Sequence, residues 1–69
     1  MDAVYITDRD DVSYNAQIIN EKVQGDKVFV LIEYGYNDKD IIQGLIENTT
    51  YRAAEVVYQR YATLYLLER

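Results

Sequence analysis

The chain contains no cysteine, no histidine, no proline and no tryptophan. Without cysteine it has no disulfide to stabilise it, and without cysteine or histidine a structural zinc site has no ligands of the usual kind. The same two absences remove the most versatile catalytic base and the most reactive nucleophile. The one serine, Ser13, has no histidine to activate it. Glycine occurs only at 25, 35 and 44, too far apart for a phosphate-cradling loop. Carboxylates alone can hydrolyse glycosides, but such sites need a deep cleft that a chain of 69 residues seldom builds. The expectation is a protein that is not an enzyme and carries no cofactor or metal.

Long hydrophobic runs are missing too. No apolar stretch approaches the roughly 20 residues of a membrane-spanning helix. The opening residues Met1 to Asp11 show neither the basic nor the apolar region of a signal peptide. A cytoplasmic protein with no membrane partner is expected. Basic residues are also scarce, seven against twelve acidic ones, for a net charge of −5. Direct nucleic-acid binding is therefore disfavoured, because phosphates are held by clustered Lys and Arg.

What is present points to a folded domain. Hydrophobic residues make up 49% of the chain, well above the level at which chains stay disordered. Length allows one core, hence a single small α+β domain over residues 1–69. Below roughly 70–80 residues, such a core seldom supplies more than about 3–5 kcal/mol. Self-association is the remaining source of stability, so a homo-oligomer is expected. Tyrosine stands out, with eight residues whose rings suit both small cores and interfaces.

The local pattern reads as a small three-stranded antiparallel sheet followed by two C-terminal helices. Residues 3–7 are β-branched and aromatic. Gly25-Asp26 fits the centre of a type II′ hairpin turn joining strands at 12–23 and 27–35. In that arrangement Tyr5, Val12, Tyr14, Ala16, Ile18, Phe29 and Leu31 would share one face. The third strand, Val28 to Ile32, is apolar on both sides, so both faces would need covering. After Gly35 the period lengthens. Asn37 or Asp38 can cap a helix at 38–48 with a stripe of Ile41, Ile42, Leu45 and Ile46. A second helix is expected over 50–68. There Ala53, Ala54, Val57, Tyr58, Tyr61, Leu64, Tyr65 and Leu67 gather on one broad face of a helical wheel. Val-Val-Tyr and Leu-Tyr-Leu also suit strands at 56–67, but the alanine-rich start favours helix.

Two groups of residues are candidate binding surfaces. Asp8, Asp10 and Asp11 form the densest acidic cluster. They lack the spacing of a calcium loop and suit docking to a basic partner. Residues 1–40 carry nine acids and four bases, whereas 41–69 carry three of each. Carboxylates on a rigid sheet can imitate duplex phosphates, so a basic nucleic-acid enzyme is one conceivable protein partner. Tyr58, Tyr61 and Tyr65 are the candidate oligomer contact.

A tiny acidic chain without a catalytic kit resembles, in composition, the accessory proteins that phages and mobile elements encode. That resemblance implies a protein-binding regulator or inhibitor of a host protein. The alternatives are a self-assembling structural component and a small nucleic-acid-binding regulator using Arg52, Arg60 and Arg69, joined by Lys22 and Lys27 across a dimer.

Overall fold

The structure is a computed structural model that describes residues 2–6, 12–33 and 37–69. Its elements run β1 (Asp2–Ile6), α1 (Val12–Lys22), β2 (Lys27–Glu33), α2 (Asp38–Asn48), β3 (Ala53–Gln59) and β4 (Ala62–Glu68). They build a four-stranded mixed sheet in the order β1-β2-β4-β3, with two interleaved helices. The α+β class agrees with expectation, but the order is βαβαββ rather than a sheet followed by C-terminal helices.

Residues 12–22 form a helix, which corrects the expected strand at 12–23. The sequence alternates well enough to suggest a strand, but Val12, Ala16, Ile19 and Val23 fall four, three and four apart. That spacing makes one helical stripe. In the structure Ala16, Ile19 and Val23 are buried, Val12 packs against the same core, and Tyr14 faces solvent. Gln17 donates to Glu21 at 3.1 Å, one turn on, and Lys22 places its positive charge at the negative end of the helix. Gly25 and Asp26 therefore lie in the connection after a helix, not at the tip of a hairpin.

With a helix as the connection, β1 and β2 can lie parallel, which a short hairpin forbids. They pair from Asp2–Val28 to Ile6–Ile32, so the expected antiparallel meander does not form. The strand at 27–33 agrees with expectation, and residues 34 and 35 of the expected span lie outside the described residues.

The helix α2 matches the expected span of 38–48. Asp38 and Asp40 sit in its first turn, where the helix dipole favours negative charge. Ile42 and Leu45 are buried, with Ile41 and Ile46 packed beside them. At the far end Asn48 donates to the Gly44 carbonyl at 2.7 Å, and Thr49 to the Leu45 carbonyl at 2.7 Å. Gly44 is where the two helices close up: a β-carbon there would sit 2.7 Å from Val12 Cγ1.

The largest correction is at 50–68, which forms the β3–β4 hairpin and not a helix. Alternate residues Thr63, Tyr65 and Leu67 are buried beneath the helices, as a strand's period of two demands. Strand β4 then pairs with β2 along its whole length, from Ala62–Glu33 to Glu68–Lys27. Seven ladder positions against the core strand, with Leu67 and Tyr65 buried, outweigh the helix preference of the alanines.

Both helices lie on one face of the sheet. There Val28, Val30 and Ile32 are fully buried with Ile6, Ile19, Leu45 and Leu67. The last residue ties the bottom of this layer together. Arg69 donates to the Gln24 carbonyl at 2.9 Å, the Val23 carbonyl at 3.2 Å and the Thr50 hydroxyl at 2.8 Å. Its guanidinium lies 4.8 Å from the centre of the Tyr51 ring, whose hydroxyl donates to the Gly25 carbonyl at 2.7 Å. A cation is thus held at the C-terminal end of α1, where its free carbonyls need donors.

Candidate functional site

Among the described residues, nothing covers the opposite face of the sheet. Side chains alternate along strands, so the neighbours of the buried residues must point away from the helices. The registers arrange them in two rows across the sheet. One row runs Ala3, Phe29, Leu66, Glu55; the next runs Tyr5, Leu31, Leu64, Tyr58. Phe29, Leu31, Leu64 and Leu66 form the apolar centre, each half-buried only by its neighbours. Tyr5, 53% exposed, and Tyr58, 56% exposed, flank that centre on the two edge strands.

Charge is confined to the rim. Lys27 and Glu68 pair across β2 and β4, 3.9 Å apart and both about half exposed, which contributes little stability. At the other end of β2 stands Glu33, opposite Ala62. Partial burial and the facing Glu33 carboxylate both push the Tyr5 hydroxyl above its usual pKa. An apolar centre with a polar rim is the usual anatomy of a protein–protein contact.

The edge strand β3 extends this surface sideways. The helices do not reach it: Val56 and Val57 are each 49% exposed. Between Val56 and Tyr58 the pairing slips, leaving Val57 as an extra residue in a bulge. Tyr58 is thereby turned onto the open face, where a regular strand would have placed Val57.

The expected tyrosine contact is divided by this architecture. Tyr58 lies on the open face. Tyr61 stands in the β3–β4 turn, 76% exposed, with the Arg60 guanidinium 5.3 Å from its ring centre. Tyr65 is in the core and donates to the Asp38 carboxylate at 2.5 Å. Burial, the hydrogen bond and the facing Asp38 charge push its pKa up to about 12. The three do not share one surface, because the helical periodicity that would align them is absent. Asp8, Asp10 and Asp11 lie outside the described residues.

Sequence reasoning did not place Leu64 and Leu66 in a contact surface; their partners on the face are Leu31 and Phe29 respectively. The signal was present in the double-sided apolarity of Val28 to Ile32 and in the Leu-Tyr-Leu alternation. Among the described residues no three carboxylates cluster as a metal site would require. An open depression of about 360 Å³ is lined by Asp2, Gly25, Asp26 and Lys27. No described helix is long and apolar enough to cross a membrane. No family model, curated protein or solved structure matches this chain in sequence or fold.

Proposed function

We propose that this chain is a non-enzymatic protein-interaction module, acting as an oligomer to regulate or block another protein, with the open face of its sheet as the contact surface. One observation supports the reading above all others. Four large aliphatic and aromatic side chains stand together on a rigid sheet with no layer of the described residues above them. A contiguous half-buried apolar centre flanked by the exposed Tyr5 and Tyr58 is surface of the kind that marks interaction sites. The flanking tyrosines add amphipathic contact area at low entropic cost.

The rim supports a protein partner over a nucleic acid. The charged residues on this face are one lysine against Glu33, Glu55 and Glu68, which would repel phosphates. The exposed β3 edge supports a second reading, a structural component that assembles by edge pairing. Such assembly would be open-ended and give large particles, whereas face binding gives a closed complex.

The test replaces Leu31 and Leu66 together by serine and leaves the helix-covered face intact. The expected result is loss of self-association, and of any specific capture from nuclease-treated lysate, with unchanged circular dichroism. Retention of both by the folded double variant would refute the reading. Large ordered particles that survive the double substitution would transfer support to edge assembly.

A further inference from the structure

Resting on the open face being a contact surface, we infer that its occupant is a second copy of this chain, stacked face to face with the strands antiparallel about a two-fold axis. The axis lies between the sheets, runs across the strands and passes at the level of Val30 and Tyr65. Such an operation keeps each strand over its own copy and exchanges the rows. The Ala3–Phe29–Leu66–Glu55 row then meets the Tyr5–Leu31–Leu64–Tyr58 row of the other chain.

The exchange is complementary at the centre of every strand and at the ends of β2; at the ends of β4 it sets Glu68 over Ala62. On β1 the large Tyr5 ring meets the small Ala3. On β2 Phe29 meets Leu31, and on β4 Leu66 meets Leu64, so the centre is filled by apolar groups alone. On β3 the Tyr58 hydroxyl can donate to the Glu55 carboxylate. At the ends of β2, Lys27 meets Glu33, twice by symmetry. That supplies a counter-charge for Glu33, which within its own chain stands opposite Ala62 on β4 and has only the neutral Tyr5 hydroxyl beside its carboxylate.

The other two-fold stacking, with its axis along the strands, fits less well. It sets Tyr5 on Tyr58 and Ala3 against Glu55, leaves Glu33 over Ala62, and gives Lys27 only the kind of partner it already has in Glu68.

The size is adequate for a reversible dimer. Strands of seven residues give a face about 23 Å long, and four strands spaced about 4.8 Å apart set its width. Stacking two such faces removes on the order of 600 Å² per chain, at the lower end of specific interfaces. Aligned sheets pack about 10 Å apart with their strands turned by about 30°, an offset that long Lys and Glu side chains on the rim can span.

Sedimentation equilibrium on the full chain at tens of micromolar tests the inference. Wild type should be a dimer. Lys27→Glu and Glu33→Lys should each weaken it about tenfold, because each places like charges opposite one another at two symmetric points. The double variant should recover to near the wild-type constant.

The absence of cysteine makes a second test clean. Chains carrying Phe29→Cys, mixed with chains carrying Leu31→Cys, should form a disulfide-linked pair quickly. Cross-linking of Phe29→Cys chains with Leu66→Cys chains instead would overturn the proposed register. A monomeric wild type that captures another protein through Leu31 and Leu66 would overturn the dimer and leave the interaction-module reading standing. A monomer without face-dependent capture would overturn both.

Discussion

The two faces of the sheet are built from similar residues and live in different surroundings. On β2 the face under the helices offers Val28, Val30 and Ile32, all fully buried. The other face offers Phe29 and Leu31, equally apolar but only half-buried. On β4 the same division sets Tyr65 and Leu67 against Leu64 and Leu66. An antiparallel sheet with a wet outer face normally carries polar residues there. Under the proposed function, stability and partner contact part company across a single layer of backbone. The covered face holds the fold together, and the uncovered face is apolar beyond what folding one chain requires.

Neighbouring leucines on β4 test this contrast most directly. Leu67→Ala, beneath the helices, should cost about 2–5 kcal/mol by urea denaturation, enough to threaten folding in a chain this small. Similar losses from Leu66→Ala at high dilution would erase the proposed division.

A smaller difference is expected between two tyrosines. Tyr65→Phe removes the hydrogen bond to Asp38 and should cost about 1–2 kcal/mol, whereas Tyr58→Phe should be nearly silent at high dilution. Tyr65 also predicts a pH dependence. Its folded pKa is raised to about 12 from 10.0, so the folded state favours the neutral phenol. That contribution is complete below about pH 10 and is lost as pH rises toward 12. Stability of the wild type should fall across this window, and Tyr65→Phe should remove its part of the slope.

A modest effect on the isolated chain, within about 0.5–1 kcal/mol by urea denaturation, should come from Leu66→Ser at high dilution. The same substitution should sharply reduce association at tens of micromolar. A large change in stability with no change in association would invert the comparison.

Much of the fold was legible where a single pattern dominated. The strands near 3–7 and 27–35 and the helix at 38–48 follow from β-branched runs and from Ile41, Ile42, Leu45 and Ile46. At 12–22 two periods coexist, and the helical stripe of Val12, Ala16, Ile19 and Val23 prevails because it completes the core with α2. Gly25-Asp26 misled because glycine suits the connection after a helix as well as a hairpin tip. The β3–β4 turn stayed hidden for the opposite reason. Gln59, Arg60, Tyr61 and Ala62 include none of the Gly, Asn or Asp residues that announce a tight turn.

The site was half visible. Phe29 and Leu31 were identifiable from the double-sided apolarity of β2. Leu64 and Leu66 could join them only once β4 was known to lie beside β2, a pairing that no local pattern encodes. Tyr58 reaches the face through the bulge at Val57, which the sequence does not announce.

The strand order also bears on how the chain is made. Strand β4 inserts between β2 and β3, so the middle of the sheet is completed by the last of these six elements to leave the ribosome. Until then Val28, Val30 and Ile32 lack their cross-strand neighbours Leu67, Tyr65 and Thr63. A growing chain can form α1 and α2 locally, but it cannot close its core by stages. Folding is accordingly expected to be a single late event after release of β4, and nascent chains stalled before Ala62 should remain open to protease.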